Sequence, residues 1–80
     1  MGWREIGHAW ARAFGTPVKP ATARVLALWA RYEGYDREDF IGAAISDAAK
    51  HGGDDPVGHI IALFRAWRGR GIEEVAELEE

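Results

Sequence analysis

The stretch that decides the fold is DPVGHIIALFRAWRGR, residues 55–70. Asp55 can cap the free amides of a first helical turn, and Pro56 loses no hydrogen bond at the first helical position. Apolar residues then recur at intervals of three and four, at Val57, Ile60, Ile61, Phe64 and Trp67, with Leu63 beside them. This spacing places them on one stripe of a helix. The stretch therefore predicts a helix over residues 55–70 that packs one face on a core.

Two helices are predicted upstream, on either side of a proline-containing connector. Large apolar residues spaced three and four apart predict an amphipathic helix from Trp3 to Phe14. The connector TPVKP, residues 16–20, is too stiff for a helix interior, but its last proline suits the first turn of a second helix that ends at Glu33. We expect the buried stripe of that second helix to comprise Val25, Leu28, Trp29 and Tyr32.

A third helix and an acidic tail complete the predicted fold. We expect the third helix to run from Asp36, as its N-cap, to Ala49, with Tyr35 as a hydrophobic staple. Residues 72–80 should form a loosely ordered acidic segment with one or two turns at most. Together these features predict one all-α domain of four to five helices over residues 1–80. Its expected core consists of Trp29, Phe40, Ile41, Ile45, Ile60 and Phe64.

Composition narrows the classes of function. The 80 residues include no Cys, which excludes disulfides and thiolate metal sites. The net charge of -3 argues against binding nucleic acid through a bulk positive potential, although a local basic patch remains compatible with binding. No apolar run approaches the roughly 20 residues of a membrane span, and no secretion signal precedes the first helix. We therefore expect a cytoplasmic protein that does not contact membranes.

Metal binding and catalysis are not expected. His51, Asp54, Asp55 and His59 are close in sequence and could supply metal ligands, but Asp55 is explained as a helix cap and the spacing matches no known site. The only serine, Ser46, lies inside a predicted helix, and no nucleophile and base are recognisable together. The glycines do not form a phosphate-binding loop either. We predict no enzyme, no metal and no cofactor.

The decisive helix also carries a family resemblance. Residues 59–75, HIIALFRAWRGRGIEEV, resemble the C-terminal domain of the DnaD-like bacterial replication-initiation proteins, in which a helix ends in a similar run of Trp, basic residues, Gly and Ile. The family pattern Y-x-x-x-I-x-x-x-W falls on His59, Leu63 and Trp67, with His in place of Tyr and Leu in place of Ile. The resemblance extends upstream, in order and spacing, over Phe14-Gly15, Leu28-Trp29, Tyr32, Gly34-Tyr35-Asp36 and the Ala-rich helix to Ala49.

Aromatic and basic side chains at the end of this helix form the candidate binding surface. Single-stranded nucleic acid is bound by aromatic faces that stack on bases beside a cationic groove. The predicted nucleic-acid-binding residues are His59, Leu63, Arg65, Trp67, Arg68, Arg70 and, across the loop, Lys50. The residues alone favour the alternative that Trp67 caps the core while the arginines only solvate the helix end, and the family resemblance brings the two interpretations close to balance. In either case we expect the three arginines to contribute little to stability.

The resemblance implies a replication-initiation module of a bacterial or phage primosome. Such a module would bind single-stranded DNA weakly and contact replication initiator or helicase-loading proteins. The alternative is a protein–protein interaction module that docks helicase or initiator partners, binds little DNA and keeps Trp67 in its core. Both hypotheses allow a homo-oligomer. The charge on the surface discriminates between them.

Overall fold

The computed structural model describes residues 3–79, and this part of the chain is helical without strands. It contains four α-helices and one short 3-10 helix: α1 (Trp3–Phe14), α2 (Pro20–Glu33), α3 (Glu38–His51), α4 (Pro56–Gly69) and η1 (Val75–Glu79). The prediction of an all-α fold with four to five helices is confirmed. None of the described helices is long and apolar enough to cross a membrane.

Local capping signals account for the ends of α2 and α4. The carboxylate of Asp55 accepts a hydrogen bond from the amide of Gly58 at 2.9 Å, and Pro56 occupies the first turn of α4, as predicted. Gly34 ends α2 in the left-handed conformation, with φ of 86°. The amide of Tyr35 then bonds the carbonyl of Ala30 at 2.7 Å, which turns the Tyr35 side chain into the core.

The start of α3 differs from the prediction. The helix begins at Glu38, with Arg37 rather than Asp36 at the N-cap position, and it continues to His51. No side chain caps it there. Asp39 instead accepts a bond from the backbone amide of Phe40 at 2.8 Å, and the Arg37 guanidinium lies 3.0 Å from the second oxygen of Asp39. Two acids in the first turn therefore favour this start through the helix dipole, without a side-chain cap.

Each α-helix packs against two others, so that the four surround one core. α1 contacts α2 and α3, and α4 contacts α2 and α3. The short loop between α3 and α4 makes these two helices antiparallel, and Asp47 meets His59 across them, with 2.6 Å between Oδ2 and Nε2. At the C-terminal end of α4, Arg68 pairs with Glu33, the last residue of α2, at 2.9 Å.

An aromatic cluster fills the core where α2 and α4 end and α3 begins. Tyr35 lies 4.8 Å from Phe40 and 5.6 Å from Trp67 between ring centroids, and Phe64 lies 5.8 Å from Trp67. The core prediction is confirmed for five of its members, Phe40, Ile41, Ile45, Ile60 and Phe64. Trp29 is only partly buried and packs against the core from outside the buried cluster, so the prediction is confirmed for it only in part.

The buried face of α2 is not the predicted one. Its buried residues are Ala23, Leu26, Ala30 and Glu33, whereas Leu28 is 57% exposed and Tyr32 is 72% exposed. Both sets recur with helical spacing, so periodicity alone did not select between them. The small side chains of Ala23 and Ala30 let α2 approach its neighbours closely, and the larger side chains consequently face outward.

The segment after α4 is attached to the core more closely than predicted. Ile72 is buried, and its carbonyl accepts a hydrogen bond from the Tyr35 hydroxyl at 2.9 Å. The Arg37 guanidinium donates to the carbonyl of Glu73 at 3.1 Å. Val75 and Leu78 pack against the core from η1, which is a 3-10 helix instead of α-helix. Apolar residues between the acids therefore anchor the tail as far as the described chain extends.

Candidate functional site

The aromatic half of the predicted binding surface belongs to the core. Trp67 is only 6% exposed and packs in the aromatic cluster, so a base could not stack on its ring without opening the core. Leu63 is partly buried against the same core. His59 is also partly buried and is held by Asp47. The positions that match the family pattern Y-x-x-x-I-x-x-x-W thus make internal contacts in this chain.

The basic half is divided between two ends of the molecule. Arg65, Arg68 and Arg70 lie at the C-terminal end of α4 and are exposed. Lys50 lies in the last turn of α3, which runs antiparallel to α4, so it lies beside the start of α4. A helix of this length spans about 20 Å. The structure therefore brings Arg65 and Arg68 together and leaves Lys50, with His51, far from them.

Arg68 has a structural role that the sequence did not reveal. Its Nη1 lies 2.9 Å from Oε1 of Glu33, whose side chain is only 6% exposed, and 3.4 Å from the carbonyl oxygen of Tyr32. A carboxylate so far removed from water needs a charged or hydrogen-bonding partner. The premise that all three arginines are only solvated is therefore wrong for Arg68, and we expect its removal to lower stability. Arg65 makes no ion pair with any residue in the described part of the chain.

Large exposed apolar side chains lie on the outer face of α2. We define the α2 stripe as Val25, Leu28, Trp29 and Tyr32, four residues with the spacing of one helix face, of which Val25, Leu28 and Tyr32 are exposed and Trp29 is partly buried against the core. The rings of Trp29 and Tyr32 meet edge to face with 5.7 Å between their centroids. Contiguous exposed apolar surface on a soluble domain marks an interaction site more often than isolated apolar residues do. The sequence pattern placed all four side chains on one helix face, but predicted that this face is buried.

Arginines border the α2 stripe on both sides. Arg31 lines the surface beside Leu28 and Tyr32, and a shallow groove separates Trp29 and Tyr32 from the last turns of α4, where Arg65 and Arg68 lie. Gly69 has no side chain to fill this groove. α2 and α4 carry four arginines and one acid, Glu33. This face is therefore locally positive on a chain whose net charge is -3.

The phenol of Tyr35 lies outside this groove, in a separate depression that Glu33, Arg68 and Ile72 also line. Burial raises the pKa of Tyr35 above its ordinary value of 10.0, and the nearby negative charge of Glu33 adds to this effect. The hydroxyl consequently remains a neutral donor to the Ile72 carbonyl over the physiological range. This bond ties Tyr35, which follows the C-cap of α2, to the segment after α4.

The remaining titratable groups form no further cluster of ligands. Among residues 3–79, no three His, Asp or Glu side chains lie close enough together to hold a metal ion. Asp55 is occupied as a helix cap, and His59 contacts Asp47 instead of its sequence neighbours. Comparisons of the chain with protein-family models, curated proteins and solved structures found no match.

Proposed function

We propose that this chain is a protein-docking module that acts in replication initiation and that its α2 stripe contacts a replication initiator or helicase-loading protein in the cytoplasm. The exposed α2 stripe, together with the burial of Trp67, supports docking. Trp and Tyr are the residues that most often dominate the energetics of protein interfaces, and Arg is enriched with them. The assignment to replication initiation rests on the family resemblance of residues 59–75.

The geometry favours a protein partner over DNA as the main ligand. Single-strand binding needs open aromatic faces and several cations that can neutralise phosphates. Trp67 offers no open face, and Arg68 already neutralises Glu33. Leu28 adds an exposed aliphatic side chain, which can bury apolar area against a protein but cannot stack on a base. The surface therefore suits an apolar partner better than a polyphosphate backbone.

Weak binding of single-stranded DNA is the second candidate, and one observation favours it. Tyr32 is 72% exposed and lies across the groove from Arg65, so a base stacked on its ring would place a phosphate near a cation. Arg70 follows at the end of α4 and would extend the cationic side. In this form of the hypothesis Tyr32 takes the role that the sequence assigned to Trp67.

Binding measurements on surface variants test the proposal. The probes are purified replication initiator and helicase-loading proteins of the source organism, and a thymine oligonucleotide at low salt. Leu28→Glu should weaken protein binding by at least about tenfold, because it places a charge in the apolar contact. Ser46→Glu introduces the same charge at an exposed position of α3 and should bind like the parent. Thermal melts of both variants establish that the fold is retained.

Two results would change the assignment. Equal binding by Leu28→Glu and Ser46→Glu would exclude the α2 stripe as the docking site. The second candidate would be supported if the parent binds the oligonucleotide and neither replication protein. This binding should then be lost in Tyr32→Ala and in the double variant Arg65→Ala with Arg70→Ala. Arg68 is left unchanged in these variants because its removal would disturb Glu33.

A further inference from the structure

The residues around the α2 stripe carry information about its partner. We infer that the partner segment is an acidic amphipathic helix that packs along α2, with its apolar side on the α2 stripe and its carboxylates beside Arg31 and Arg65. This inference rests on the proposed docking function and specifies the chemistry of the ligand at the same site.

The arrangement of the stripe indicates a helical partner. Val25, Leu28, Trp29 and Tyr32 follow one another at intervals of three, one and three residues along a single helix. They extend over eight residues, and the first and last lie about 10 Å apart along the helix axis. A ridge of this kind packs into the groove between the corresponding side chains of a second helix, with the axes about 8–10 Å apart. Helix-in-groove recognition uses the same spacing of anchors on the ligand.

The charges around the stripe indicate acidic residues on that partner. Arg31 borders the stripe on one side, and Arg65 and Arg68 border it on the other. The single acid of α2 and α4, Glu33, is buried against Arg68 and cannot attract a basic partner. Complementary charge speeds association and excludes wrongly charged ligands more than it adds affinity. A helix with Glu or Asp on both sides of its apolar face fits this border.

A second copy of the chain fits the α2 stripe less well. A two-fold interface would place the same patch against itself, so the arginines of one copy would approach those of the other. Like charges across an interface are unfavourable. The acidic segment of a second copy is not available either, because Val75 and Leu78 already pack against the core of their own chain. We therefore assign the partner helix to a different protein.

The test uses two designed peptides of roughly 18 residues, about five helical turns. Both have Leu at positions i, i+3, i+4 and i+7, and they differ only in having Glu or Lys beside the leucines. Each is titrated into isotope-labelled protein while backbone amide resonances are followed by NMR. We expect the acidic peptide to shift the resonances of residues 25–32 with micromolar to millimolar affinity and to bind at least about fivefold tighter than the basic peptide at low salt.

Charge reversal on the protein provides the matched comparison. Arg31→Glu with Arg65→Glu should reverse the preference between the two peptides. Arg12→Glu with Lys50→Glu makes the same change at exposed positions elsewhere and should leave the preference unchanged. Equal binding of both peptides, no shift at residues 25–32, tighter binding of a thymine oligonucleotide to these residues, or dimerisation that depends on Leu28 would each overturn the inference.

The outcome is separable from that of the proposed function. If Leu28→Glu abolishes binding of a replication protein while the charge-reversed variant retains it, the docking function stands and the acidic helical ligand is wrong. If the acidic peptide binds at residues 25–32 while no replication protein does, the ligand chemistry stands and the assignment to replication initiation is wrong.

Discussion

Replacing Arg68 by Met should destabilise the fold by about 1–3 kcal/mol, because it leaves the carboxylate of Glu33 without its charged partner. The two groups are 2.9 Å apart, and the Glu33 side chain is 6% exposed. Removing one member of a fully buried pair costs about 3–5 kcal/mol. The Arg68 side chain is 60% exposed, so water can reach the stranded carboxylate and the cost should be lower.

A double-mutant cycle measures this interaction. Urea unfolding of the parent, Arg68→Met, Glu33→Gln and the double variant should give a coupling energy of about 1 kcal/mol or more. In a domain of this size, 1 kcal/mol corresponds to a shift in melting temperature of about 4–8 °C. Arg65→Met is the matched control, because Arg65 lies one turn away and is exposed. Its effect should stay within about 0.5 kcal/mol.

A coupling energy within about 0.3 kcal/mol of zero would refute the argument. Such a value is typical of exposed ion pairs, and it would mean that Glu33 is solvated in solution. The ion pair would then add nothing to the packing of α2 on α4, and the groove between Tyr32 and Arg65 would depend on the buried contacts of Ala30 and Tyr35 alone.

The remaining predictions concern the aromatic cluster. Phe64→Ala should lower the free energy of unfolding by about 3–5 kcal/mol, because Phe64 is fully buried. If this variant unfolds at the same urea concentration as the parent, Phe64 is not a core residue. Alkaline pH should destabilise the protein, since burial raises the folded-state pKa of Tyr35 above 10.0. The neutral phenol of Tyr35 contributes its full stabilisation below the pKa of the unfolded state, and this stabilisation is lost as pH rises through the pKa of the folded state. In unfolding measurements, Tyr35→Phe should reduce the loss of stability at alkaline pH, whereas Tyr32→Phe should not. If both variants lose as much stability as the parent, other groups cause the loss.

The parts of the fold that follow from local chemistry could be predicted from the sequence. Asp55 with Pro56 starts a helix by interactions within four residues, and Gly34 ends one because its backbone adopts a left-handed conformation. The start of α3 was less predictable. Asp36, Glu38 and Asp39 can all favour a helix start, and the choice depends on Arg37, whose guanidinium contacts Glu73 36 residues away.

The orientation of α2 could not be predicted from its own sequence. The spacing of α2 allows two helical stripes, one at residues 23, 26, 30 and 33 and one at residues 25, 28, 29 and 32. The side chains of the second stripe are larger and more apolar. Size normally favours burial. Here the neighbours of α2 decide the matter, because the small side chains of Ala23 and Ala30 allow close approach and Glu33 is then buried against Arg68. That contact joins residues 35 positions apart and leaves no local signal.

The end of α2 explains how two neighbouring tyrosines acquire opposite roles. Tyr32 and Tyr35 are three residues apart and would share a face if the helix continued. Gly34 ends the helix between them, so Tyr35 enters the core while Tyr32 stays on the surface. Tyr32 and Leu28 can therefore be substituted with little loss of packing, whereas Leu26 and Ala30 cannot. Separate substitutions on the two faces of one helix thus distinguish loss of docking from loss of folding.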